Sequence, residues 1–111
     1  MPSWSRVITT DNVSTTVVLL IGQRTCLTGV RSLNTTAAAA YTQLFDVAAA
    51  ASVTPGTTVP RWVVKSGSSD PSDGDGLPTD GLIFENGIAV ISTTTLVGTT
   101  PALQHVRITI E

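Results

Sequence analysis

The side chains of this chain that could carry chemistry are few: His105, Cys26 and the carboxylates Asp70, Asp73, Asp75 and Asp80. A nucleophilic site needs an imidazole beside a Ser or Cys, held in place by a third group. His105 is the sole imidazole. It lies in QHVRITIE, an alternating segment in which it shares parity with Arg107, so it is expected to be a solvated or hydrogen-bonded strand histidine. A zinc site draws several ligands from Cys and His, and the chain has one of each. The loop SGSSDPSDGDGLPT, residues 66–79, together with Asp80 offers hard oxygens suited to calcium. Its Asp73-Gly74-Asp75-Gly76 run lacks the EF-hand spacing and the closing Glu, and Ser/Asp/Gly loops of this kind ordinarily serve as solvated surface. Neither a P-loop nor a GxGxxG pattern occurs. The expectation is a protein that is not an enzyme, with no metal and no cofactor.

What remains is residues that could bind a partner. Trp62, next to Arg61 and ahead of Val63-Val64, fits a sheet-packing role; the alternative is a sugar-stacking or partner-anchoring residue. Carbohydrate sites use several aromatics, and aromatics make up only 5% of this chain. Trp4, near the start of a polar stretch, either docks on its own domain or anchors on a partner. Trp4, Arg6 and Trp62 are the candidate partner-interface residues.

Composition limits the partners. A net charge of −2 with six scattered basic residues opposes nucleic-acid binding, which needs clustered Lys and Arg to displace counterions. Charged residues make up 13% of the chain and apolar ones 41%, so neutral surface is left outside the core. On a lone monomer that surface is a solubility liability, and on a subunit it is an interface. The run VVLLIG, residues 17–22, is too short to cross a membrane. A lone Cys allows no intrachain disulfide, and residues 1–10 lack the apolar core of a signal peptide, so synthesis in a cytoplasm is expected.

The elements that position these residues read as strands. Thr is frequent, often in pairs, and β-branched residues suit a pleated half-buried surface; the hydroxyls are expected on wet outer faces. Residues 1–12 read as an N-terminal arm. Residues 14–22 (STTVVLLIG) read as a buried strand, and residues 25–33 as a strand with a bulge at Gly29. Residues 37–51 fit either a helix, by their alanine runs and the spacing of Ala40, Tyr41, Leu44, Phe45 and Ala48, or a strand, by Tyr, Thr, Phe and Val close together; strand is favoured by the strand-rich surroundings. Pro55-Gly56 marks a type II turn. Residues 59–66 form a strand with Pro60 near its start. Runs at 82–85 and 87–95 flank Asn86-Gly87, a hairpin signal, although a kinked continuous strand also fits. Residues 104–111 alternate, with Val106, Ile108 and Ile110 inward. Short strands with frequent turn signals predict an all-β, single-domain antiparallel β-sandwich or jelly roll at residues 13–111, preceded by the arm.

Three stretches carry a family resemblance. Asn34, Thr35, Ala37, Ala38, Tyr41, Gln43, Leu44, Phe45 and Asp46 form the first. Gly56, Thr57, Thr58 and Pro60 form the second. Gly81, Phe84, Gly87, Ile88, Val90, Thr93, Thr94, Thr95 and Gly98 form the third. In this order they resemble small structural proteins of tailed bacteriophages, from about Gly22 to the end of the chain. Ile91-Ser92, where Ala often stands, and the Asp-rich loop depart from the pattern, and residues 1–12 have no counterpart in it. The resemblance implies a virion protein with a β-sandwich domain. Joined to the low charge, it suggests a capsid decoration (cement) protein: a homotrimer on the outer capsid surface, bound to the major capsid protein, bridging capsomers and made in the host bacterial cytoplasm. A tail, neck or head-fibre component that contacts the host surface is the alternative.

Overall fold

The computed structural model describes residues 6–34, 39–66, 71–72, 77–78, 80–95, 99–102 and 104–111. Among them nine strands form two antiparallel sheets: β1 (Arg6–Val13), β2 (Val18–Ile21), β3 (Thr25–Asn34), β4 (Ala40–Phe45), β5 (Trp62–Ser66), β6 (Pro71–Ser72), β7 (Leu82–Phe84), β8 (Ile88–Thr93) and β9 (Gln104–Ile110). The first sheet runs β1-β9-β3, and the far side of β3 holds β7 at Thr25–Leu27 and β6 at Ser32–Leu33. The second runs β2-β8-β4-β5. With β6 and β7 sharing one lateral position, the chain passes between the sheets in the order of a jelly roll. The expected all-β sandwich is the fold.

Local sequence explains most of these elements. In β9, Gln104, Val106, Ile108 and Ile110 are buried and the residues between them are not, the period-two pattern of a strand with one face on the core. In β3 the register against β9 slips between Leu27 and Gly29, which places the bulge at the glycine. Ahead of the slip Leu27 faces the core; beyond it Val30, Ser32 and Asn34 do. The ambiguous alanine-rich stretch is a strand over Ala40–Phe45, followed by a single 3-10 turn at Ala50–Ser52. Pairing with β5 on one side and β8 on the other overrides the helix propensity of alanine. Thr57 N–H donates to the Thr54 carbonyl at 3.0 Å across Pro55 and Gly56, and Gly56 has φ 83°, so the type II turn forms as read.

Three expectations are corrected. Residues 6–12, read as part of an arm, lie in β1, an edge strand in register with β9 from Arg6↔Ile110 to Val13↔Gln104. Residues 14–22, read as a buried strand, yield the short edge strand β2, with Leu19 38% exposed. Asn86-Gly87 closes no hairpin, because β7 pairs with β3 in the first sheet and β8 with β2 and β4 in the second. The chain crosses between sheets there. Gly87 has φ 151°, and a Cβ on it would collide with the backbone carbonyl oxygens of Ile21 and Val47. Asp46 ties the crossing down: its carboxylate accepts the N–H of Asn86 at 2.8 Å and of Glu85 at 3.1 Å.

The core has two ends. At one, Leu27, Leu44, Phe84, Ile88, Val90, Ile108 and Ile110 interlock between the sheets. At the other the inward positions are polar: Ser32, Asn34, Thr42, Ser66, Ser92 and Gln104, all fully buried. The Gln104 side-chain amide donates to Thr42 Oγ1 at 2.9 Å and to Ser92 Oγ at 2.6 Å, and Thr42 Oγ1 meets Ser32 Oγ at 2.7 Å. Hydroxyls expected on wet outer faces are thus spent inside.

Candidate functional site

The two sheets differ in how their outer faces are treated. Outside the second sheet, Phe45, Ala89 and Ile91 are fully buried and pack with Val53, Val17 and Val47. Val53 and Val47 come from the β4–β5 connection and Val17 from the β1–β2 connection. All six residues of β8 are buried for this reason. The Gln43 side-chain amide on this face donates to Thr93 Oγ1 at 2.8 Å.

The outer face of the first sheet carries exposed residues on β1, β9 and β3, and Leu77 and Pro78 of the β6–β7 connection border it beside Gly29 and Arg31. Strand register sets its residues in rows: Thr9, Arg107 and Arg31 face one another across three strands, Leu33 pairs with His105, and Val7 and Gly29 both pair with Thr109. Val7, Thr9, Arg31, Leu33 and Arg107 are exposed and His105 is half-buried. Val7 at 61% and Leu33 at 43% are two of the four exposed large hydrophobic residues among those described. Two shallow depressions, of about 350 and 390 Å³, are both lined by Arg31 and Arg107. Glycine at position 29 opens the second depression above Thr109. Arginine is enriched at protein interfaces, and exposed apolar side chains grouped on one face mark contact sites.

Among the described residues, two acids near this sheet, Glu85 and Asp46, have partners. Glu85 pairs with Arg24 at 2.6 Å between two exposed side chains, a contact of little energetic weight in water. Burial alone would raise the pKa of Asp46, but the hydrogen bonds from the Asn86 and Glu85 backbone outweigh it and hold the carboxyl below its ordinary value. The Cys26 thiol approaches the Asp80 backbone carbonyl at 3.6 Å.

The sequence-predicted interface residues are not brought together. Trp4 lies outside the described residues. Arg6 begins β1 and is exposed at one edge of the first sheet. Trp62 begins β5, at the edge of the second sheet, and packs against the hydrophobic core, so its ring serves sheet packing and does not belong to the outer face of the first sheet. His105 stands among Thr9, Arg31, Leu33 and Arg107. Of the proposed calcium ligands, Asp70, Asp73 and Asp75 lie outside the described residues, and the described residues hold no group of three metal-capable side chains. Sequence reasoning missed the Arg31–Arg107 juxtaposition. Parity sets Arg107 on the face opposite Val106 and Ile108, and only the β3–β9 register brings Arg31 beside it.

No protein family, curated protein or solved structure matches this chain.

Proposed function

We propose that this protein is a structural component of a tailed-bacteriophage particle, a decoration protein that binds the outer capsid surface, bridges neighbouring capsomers and acts as a homotrimer. The outer face of the first sheet carries the proposal: among the described residues, the second sheet is covered by the chain's own connections, while the first presents Val7, Thr9, Arg31, Leu33 and Arg107 at its surface. The motif resemblance supplies the virion context. Jelly rolls also serve as lectins and cupins, and fold by itself does not choose among them. The choice rests on the site. The space between the sheets is filled by fully buried side chains, and Trp62 packs on the core instead of presenting a sugar platform.

The protein would work by binding, not by catalysis. A subunit that binds the assembled shell and not its dissociated parts stabilises the shell by mass action. Symmetry repeats a modest contact over many sites, and trimeric attachment raises avidity through effective concentration. Leu19 on β2 and Val59 ahead of β5, both exposed and both away from the outer face of the first sheet, are available for contact between copies. The test is electron cryo-microscopy of purified particles. Density for this fold at positions bridging capsomers is expected; its restriction to the neck, tail or fibres would replace this proposal with the alternative.

A further inference from the structure

We infer that Asn86-Gly87 is a modification site: the Asn86 side chain deamidates when the β7–β8 crossing opens, and the Asp46 carboxylate is the latch that holds the crossing shut. This goes beyond the structural role proposed above and does not depend on it. Asparagine is a thermolabile residue, because the backbone nitrogen of the next residue can attack its side-chain carbonyl carbon. A glycine in that next position has no side chain to shield the nitrogen. The Gly87 nitrogen gives its proton to hydroxide and bonds to Asn86 Cγ; the Cγ–Nδ2 bond breaks, and Nδ2 takes a proton from water and leaves as ammonia. Water then opens the cyclic imide at either carbonyl. The product is aspartate or, with the chain rerouted through the side chain, isoaspartate.

The closed crossing resists that ring closure. Asn86 is exposed to water, whereas Gly87 is buried. Asp46 Oδ1 accepts the Asn86 backbone N–H at 2.8 Å and its side-chain amide at 3.4 Å, while Oδ2 accepts the Glu85 N–H at 3.1 Å. The backbone and the leaving amide are thus both held toward the carboxylate. Gly87 fits so closely against the Ile21 and Val47 carbonyl oxygens that no Cβ could be added, which leaves its backbone little room to turn toward Asn86 Cγ. Ring closure therefore waits on local opening. The product does not latch in the same way. Deamidation replaces the Nδ2 donor by a carboxylate set against Asp46, a like charge, and isoaspartate adds a backbone carbon to a tightly seated connection. Because β7 belongs to the first sheet and β8 to the second, the loss falls on the link between the sheets and runs one way.

The test incubates the full chain in mildly alkaline buffer and follows Asn86 by peptide mapping and mass spectrometry. Asn12 and Asn34, each followed by a β-branched residue, serve as internal references. The urea-unfolded chain should convert at Asn86 faster than at either reference, and the folded chain should convert there roughly tenfold more slowly or less. Asp46→Ala and Asp46→Asn, each checked for native near-ultraviolet circular dichroism, should raise the folded rate by roughly fivefold or more. In the wild-type chain, which needs no variant to fold, the rate at urea concentrations below the unfolding transition should climb together with hydrogen exchange of the Glu85 and Asn86 amides. Asn86→Asp, the product made directly, should unfold at lower urea than the wild type. No conversion at Asn86 in the unfolded chain, equal rates folded and unfolded, unchanged or slower conversion in folded Asp46 variants, conversion that does not track amide exchange, or unaltered stability of Asn86→Asp would each overturn the inference.

Discussion

Replacing Gln104 by Leu should cost about 2–4 kcal/mol of stability. Gln104 is fully buried and its amide nitrogen makes two hydrogen bonds, to Thr42 and Ser92, each worth about 1 kcal/mol net. Thr42 keeps Ser32 as a partner, whereas Ser92 Oγ loses the partner the structure gives it, adding about 1–3 kcal/mol for a buried hydroxyl. Against this, Gln104 Oε1 has no partner among the described residues, and its removal relieves about 1 kcal/mol of desolvation. Leu is close to Gln in volume, so no cavity cost enters. The thermal midpoint should fall on the order of 10 °C. Replacing the whole cluster (Gln104→Leu with Ser92→Ala, Thr42→Val and Ser32→Ala) should cost clearly less than the sum of the four single changes, because no orphaned group remains. Urea unfolding followed by intrinsic fluorescence gives every value. A neutral Gln104→Leu, or four costs that simply add, would show that these groups do not act as one network.

Further outcomes follow from other contacts. Gly87→Ala should cost more than about 3 kcal/mol, since its Cβ meets two backbone oxygens at a backbone angle that side chains rarely adopt; denaturation midpoints check it. The Asp46 carboxyl has a lowered folded-state pKa, so its contribution is complete above its ordinary value of 3.8 and is lost as pH falls through the lower folded value. Asp46→Asn should therefore flatten the acid limb of the stability–pH profile, and an unchanged limb would contradict this. Trp62→Ala should cost about 2–4 kcal/mol, while Trp62→Phe should cost under about 1 kcal/mol because the indole N–H has no partner among the described residues.

The sequence and the fold agree best where one strand face meets apolar core and the other meets solvent. Alternation in QHVRITIE located β9 and its inward residues, and Pro55-Gly56 located its turn, because both signals are local. The failures depend on distant partners. RVITTDNV has the β-branched content of a strand, but only pairing with β9, from the other end of the chain, makes it one. Asn-Gly suits a two-residue hairpin, yet at residues 86–87 the requirement is close approach to Ile21 and Val47, which any glycine satisfies. Threonine's preference for wet faces did not reveal that Thr42 and Thr93 would be buried among Gln43, Ser92 and Gln104. The arginine pair of the candidate face exists only through the β3–β9 register, which a bulge shifts by one residue.

The central claim is that this jelly roll is a shell-bound subunit. Counting its copies in purified particles, by quantitative mass spectrometry against the major capsid protein, addresses that claim most directly. The account predicts on the order of hundreds of copies per particle, a number fixed by icosahedral symmetry. A dozen copies or fewer, or absence from the particle, would contradict it.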